Sequence, residues 1–159
     1  MSFTNIIEPL EKLLKLQKSL LTVALQKTEI VKKGDLTAMQ QILKDEQAHL
    51  SAIRSLENQV LSISKSTSQK AHPTLTDIIE SADGQSKVEL LRLQAEFSEL
   101  VTTLSERNKL NQNLLEQSLQ FINLSLDLLV PSIDSYNYGN QNLANEYEHP
   151  NRSIFNSKA

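Results

Sequence analysis

Two Glu-x-x-His pairs are the strongest candidates for chemistry in this sequence: Glu46 with His49, and Glu146 with His149. On a helix this spacing puts both side chains on one face, as in helical bundles that bind two metal ions. The second pair stands beside Pro150 in a segment without helical periodicity, and the other predicted helices offer no inward-facing carboxylates to complete a site. We therefore predict no metal, no cofactor and no enzyme, with Glu46 and His49 as surface or groove-edge residues.

Other catalytic and ligand-binding signatures are absent from the sequence. The chain has no Cys, its three Gly are scattered, and no phosphate-binding loop or nucleophile elbow occurs. A net charge of -3 offers no basic surface for nucleic acid. No apolar run approaches the ~18 residues of a membrane span, and the N-terminus lacks a signal peptide's basic region. We predict a cytoplasmic protein without nucleic-acid binding or membrane insertion.

The elements that must position any site are helices. Apolar residues recur at steps of three and four over residues 5–33 and again over 36–64, which predicts two amphipathic helices. Between them, Gly34 can adopt the positive φ that ends a helix, and Asp35 is a good N-cap. So short a connection predicts an antiparallel hairpin.

A short helix over residues 75–82, capped by Thr74, precedes a long helix over 86–130. Ser86 and Glu89 fit a capping box at its start, and a proline after Val130 ends it. With few aromatic residues to fill a wide core, we predict an all-α, elongated antiparallel bundle or coiled-coil hairpin with a long third helix. Residues 1–130 form this bundle, and 131–159 form a flexible tail that orders on a partner or packs weakly on the bundle.

Asn111 interrupts the apolar stripe near the middle of the long helix, among other polar residues: Asn108, Gln112 and Asn113. A buried Asn can fix the register of packed helices at some cost in stability. Alternatively, the helix is half exposed at this point.

One segment carries a family resemblance, the leucine-rich stretch Leu114–Leu129 together with its sequel from Pro131 to Gly139. It resembles the FlgN family of flagellar export chaperones. The turn at Lys33-Gly-Asp-Leu36 and the segment Thr74–Ile79 are similar to the family as well, although many coiled coils could share them. The last twenty residues match nothing recognisable.

The resemblance implies a type III flagellar export chaperone. Such proteins bind hook-filament junction proteins (hook-associated proteins) in the cytoplasm, prevent their premature assembly and escort them to the export gate. The alternative is a structural or adaptor coiled coil unrelated to export, which helical periodicity alone does not distinguish from a chaperone.

For the client site we expect the second half of the long helix, because its apolar residues exceed the ~100° that one core contact needs. The anchors would be Leu115, Leu119, Ile122, Leu126 and Leu129. The alternative is that this region is the best-buried part of the bundle. Whether the free protein is a monomer or a homodimer stays open, since an uncovered leucine-rich face could pair with itself.

For export-gate docking we expect Tyr136 and Tyr138, which precede Gly139 in the tail. A tyrosine offers a large contact area and a hydroxyl at low entropic cost. The competing interpretation is that the tail closes over the bound client.

Overall fold

The computed structural model describes residues 3–68 and 70–129, and every regular element in that part of the chain is a helix. The prediction of an all-α fold is therefore confirmed. The helices are α1 (Thr4–Lys33), α2 (Leu36–Thr67), α3 (Leu75–Ser81) and α4 (Gly84–Leu129). Residues 131–159, predicted to form a tail, lie outside the described residues.

The turn between α1 and α2 forms as its sequence predicts. Gly34 adopts φ 68°, and its N–H donates to the carbonyls of Ile30 and Val31 at 3.0 and 3.2 Å. The carboxylate of Asp35 accepts a hydrogen bond of 2.9 Å from the N–H of Ala38. A Cβ at the left-handed φ of Gly34 would be strained, so glycine is the residue that lets the chain reverse here.

Of the two helix N-termini predicted at Thr74 and Ser86, the structure has the first but not the second. Thr74 caps α3 in a full capping box with Asp77, and hydrogen bonds from Lys70 and then from Thr74 lower the pKa of the Asp77 carboxyl to about 2. The capping box at Ser86 is wrong, because α4 begins at Gly84, where φ is 52°. Ser86 therefore lies inside the helix instead of in front of it.

Ion pairs and hydrogen bonds show how the long helices run. His49 of α2 forms a hydrogen bond with Ser19 of α1, and Glu46 of α2 forms one with Lys27. Residue numbers therefore rise along α2 as they fall along α1, so the two helices are antiparallel. Along α4, numbering rises together with that of α1: Arg92 pairs with Glu11 at 2.6 Å and Lys18 with Glu96 at 2.9 Å. Hydrogen bonds from Lys18 and Arg92 lower the pKa of Glu96. The third long helix is thus parallel to the first.

The core lies along α1, which packs against both α2 and α4. At the end where α1 begins, Leu90 and Leu93 of α4 are fully buried against α1 and α3. Covering a Leu side chain to this extent stabilises the fold by roughly 1.5–3 kcal/mol. A second cluster further along α1 joins all three long helices through Leu20, Ile53 and Leu104.

A buried polar network fixes α1 against α4 near the far end of α1. Asn111 is 2% exposed; its Oδ1 accepts from the Thr28 hydroxyl at 2.6 Å, and its Nδ2 donates to the Ala24 carbonyl at 2.9 Å. The half-exposed alternative is therefore wrong for Asn111, although Asn108, Gln112 and Asn113 are exposed. The amide satisfies its partners in one alignment of the two helices.

We expect Asn111→Ala to lower the free energy of unfolding by about 1–3 kcal/mol, because the substitution leaves a cavity and removes buried hydrogen bonds. Asn111→Leu should cost much less, since Leu fills the space and the Thr28 hydroxyl can donate its proton to the Ala24 carbonyl, which lies 3.1 Å away. Urea unfolding followed by circular dichroism measures both variants. Equal losses would assign the cost to the missing hydrogen bonds of the amide and not to the cavity.

Candidate functional site

The last part of α4 extends past the tip of the α1–α2 hairpin. Because α1 and α4 are parallel and Thr28 lies opposite Asn111, α1 ends at Lys33 when α4 has reached about residue 116. From Glu116 to Leu129 every side chain except that of Ser125 is exposed. At 1.5 Å per residue this extension is roughly 20 Å long.

The extension is unusually apolar for an exposed helix. Its large side chains are 51–78% exposed, and they are Leu119, Phe121, Ile122, Leu124, Leu126, Leu128 and Leu129. Monomeric proteins rarely leave so many neighbouring apolar side chains in water, and such surfaces commonly mark protein-binding sites.

The five predicted client anchors lie on one face of α4, which we call the first seam: Leu115, Leu119, Ile122, Leu126 and Leu129. At about 100° per residue this face continues the one that carries Leu104 and Asn111 toward α1. Leu115, beside the end of α1, is half-buried, whereas Leu119, Ile122 and Leu126 are 60%, 51% and 54% exposed. The first seam therefore continues the core-facing side of α4 beyond the point where α1 ends.

A second apolar row was missed by the sequence reasoning. It consists of Leu110, Leu114, Phe121, Leu124 and Leu128, with Gln117 in the same row, and we call it the second seam. All of its apolar residues are exposed except the half-buried Leu114. The signal that could have found it is the alternation of steps of four and three from Leu110 onward, which is the coiled-coil spacing.

Charge is sparse on this part of the helix. Between Leu110 and Leu129 only Glu116 and Asp127 are charged, and both are exposed on the side away from the two seams. The surface therefore offers apolar contact and little electrostatic selection. Such chemistry fits the apolar face of an amphipathic helix.

The Glu-x-x-His pair of α2 faces α1, and both of its side chains bond to residues of the protein there. Glu46 forms a 2.8 Å ion pair with Lys27, whose side chain is 5% exposed. Nδ1 of His49 donates to the Asp45 carbonyl, so Nε2 can accept from the Ser19 hydroxyl at 2.7 Å. The two side chains are half-buried and help to hold the hairpin, which agrees with the groove-edge position predicted as one of the two alternatives.

Within residues 3–68 and 70–129, no three His, Asp or Glu side chains come together as metal ligands. Glu146 and His149 lie outside the described residues, as do the predicted gate-docking residues Tyr136 and Tyr138. None of the helices in the described part of the chain is long and apolar enough to cross a membrane.

Comparison with known proteins finds a family whose model covers all four helices. The family model described as "FlgN protein" matches residues 1–146. The chain is also 32% identical, over 160 aligned positions, to the "Uncharacterized protein YvyG" of Bacillus subtilis (strain 168), and the alignment covers 100% of both chains. No solved structure matches significantly.

If the first seam is a binding surface and not part of the core, shortening one of its side chains should hardly change the free energy of unfolding. We expect Leu126→Ala to change the free energy of unfolding by less than about 1 kcal/mol, as is usual for exposed side chains. Leu104→Ala, the same truncation on the same face at 6% exposure, should cost about 2–5 kcal/mol. Thermal unfolding of both variants tests this contrast, and comparable losses would place Leu126 in the core.

Proposed function

We propose that this chain, which belongs to the FlgN family, is a flagellar export chaperone that binds hook-filament junction proteins in the cytoplasm and delivers them to the export gate. The family match agrees with the resemblance seen in the sequence and supports the general role in flagellar export. The client, the gate and the cytoplasmic location are parts of the proposal.

The observation that carries the proposal is the exposed first seam on a helix that is otherwise well anchored. A chaperone must present apolar surface to a client and release it later, so this surface has to stay accessible while the protein is folded. Leu90, Leu93 and Leu104 bury the first part of α4, and Leu119 and Ile122 lie on the same face in solvent. The folded part of α4 therefore holds the exposed part ready for binding.

A client segment suited to this seam is an amphipathic helix. The seam repeats at steps of four and three, which matches the i, i+3 and i+4 anchors of helix-in-groove recognition. A junction protein whose own helices await partners in the assembled filament would expose such a face, and covering it would prevent premature assembly. The anchors we assign are Leu115, Leu119, Ile122, Leu126 and Leu129.

The alternative is a structural or adaptor coiled coil unrelated to export. The same apolar seam would serve it, but its partner would not be a junction protein. Mixing the purified chain with each hook-filament junction protein in turn distinguishes the chaperone from the adaptor, because a chaperone should form a complex of defined stoichiometry with one or two of them.

The oligomeric state of the free protein is a separate question. Light scattering of the chain alone over a range of concentrations decides between monomer and homodimer.

We expect Leu119→Lys to weaken client binding roughly 30-fold, because an ammonium group would be buried against the apolar face of the client helix. Its matched control is Gln120→Lys, the adjacent exposed residue away from the first seam, which should change affinity less than about twofold. Calorimetric titration with the junction protein measures both. Equal effects of the two substitutions would exclude the first seam as the client site.

Delivery to the gate needs a surface that the client does not cover, and we assign it to Tyr136 and Tyr138. A chain truncated after Ser132 should then keep nearly full client affinity but lose association with the cytoplasmic domain of the export gate. The measurement is a pull-down of each partner by the full and the truncated chain. Loss of client binding by a folded, truncated chain would instead assign the tail to the client site.

A further inference from the structure

The extension of α4 differs from the rest of the helix in carrying two apolar rows. From Arg92 to Thr103, the side of α4 that later becomes the second seam is polar or charged, with Arg92, Glu96, Glu99 and Thr103. Over that length the apolar row of α4 packs mainly against α1, with α2 completing the same core. One apolar row therefore faces the α1–α2 hairpin, and two rows follow where α1 has ended.

Each row has the spacing of a separate coiled-coil seam. The first seam steps by four, three, four and three residues from Leu115, and the second steps by four, three, four, three and four from Leu110, with Gln117 as its one polar position. A seam of this kind accepts one helix. At about 100° per residue the centres of the two seams lie about 140° apart, so a single helix cannot cover both.

The strip between the seams is built for close approach. It contains Ser118 and Ser125, both small and uncharged. The Ser118 hydroxyl already donates to the Leu114 carbonyl at 2.8 Å, so it needs no polar partner when covered. The two seams and this strip form an apolar arc of about 220°, about twice the width that one core contact needs.

The area of each seam argues for one partner chain that uses both. Covering a Leu side chain removes on the order of 100 Å² from water, so five such side chains supply on the order of 500 Å². A specific interface commonly buries about 800 Å² on each partner. A second copy of this chain, paired through one seam on each copy, would fall short of that area and leave the other seams in water.

We propose that the end of α4 is the central helix of a three-helix arrangement whose two outer helices come from one client molecule, one helix on each seam. This inference rests on the proposed function and adds the form of the client: two amphipathic, mainly aliphatic helices of about 15–20 residues each, joined in one chain. The second seam (Leu110, Leu114, Phe121, Leu124 and Leu128) is thereby a client-binding surface of equal standing with the first.

The absence of Cys from the chain allows a direct test. Leu126→Cys on the first seam and Leu124→Cys on the second each create a single attachment point for a photoreactive maleimide. Each labelled chain is mixed with the hook-filament junction proteins in turn, irradiated, and the crosslinked peptides are identified by mass spectrometry. We expect the two positions to capture two different segments of the same client, in complexes of one chain and one client.

Affinity measurements complete the test. Leu124→Lys and Leu126→Lys should each weaken client binding at least about tenfold, whereas Asn123→Lys, an exposed control beside both, should change it less than about twofold. Leu124 and Leu126 are more than half exposed, and Asn123 is exposed as well. Circular dichroism should therefore show that all three variants keep the fold.

The outcomes that overturn the inference are distinct from failure of the proposed function. If Leu126→Lys weakens binding and Leu124→Lys does not, or if both labels capture one client segment, the chaperone role stands and the two-helix form is wrong. Capture of a second copy, or of the chain's own residues 130–159, by the label at position 124 also overturns it. If the unsubstituted chain binds none of the junction proteins, the proposed function fails and the inference with it.

Discussion

The organisation of this protein depends on α1, because both other long helices, α2 and α4, pack against it. The helix α1 has 30 residues and α4 has 46, and the two run parallel from neighbouring starting points. The hairpin partner α2 returns the chain to the start of α1, and α3 connects it to α4 there. Because α1 is the shorter helix and stops at Gly34, the end of α4 must extend into solvent.

The alignment of α1 with α4 sets how much of α4 is exposed. Asn111 satisfies its amide through Thr28 and the Ala24 carbonyl, and a shift of α4 by one turn would separate the amide from both partners. Such a loss costs about 1–3 kcal/mol in a protein interior. The buried polar network therefore fixes both the register of the bundle and the length of the apolar extension.

An exposed apolar extension is unfavourable for an isolated protein, and several features limit that cost. Most of the large apolar side chains that are more than half exposed lie at one helix end, and the adjacent polar side carries Glu116 and Asp127. The anchored part of α4 is stabilised by buried leucines and by the ion pairs of Arg92 and Lys18 with α1 and α4 carboxylates. The buried and the exposed apolar side chains of α4 thus lie along different lengths of one helix.

Local signals in the sequence determined the helices, the reversal at Gly34-Asp35 and the cap at Thr74, because these depend on residues within one or two turns of each other. They also determined the first seam and the resemblance to the FlgN family, which the family match supports. Periodicity tells which side chains share a face of their own helix, but not which neighbour covers that face or how far along. Only the tertiary structure decided that α4 is parallel to α1, that Asn111 is buried, that Glu46 and His49 face α1, and that both seams outlast their neighbours. Those outcomes depend on the relative lengths and register of helices that are distant in sequence.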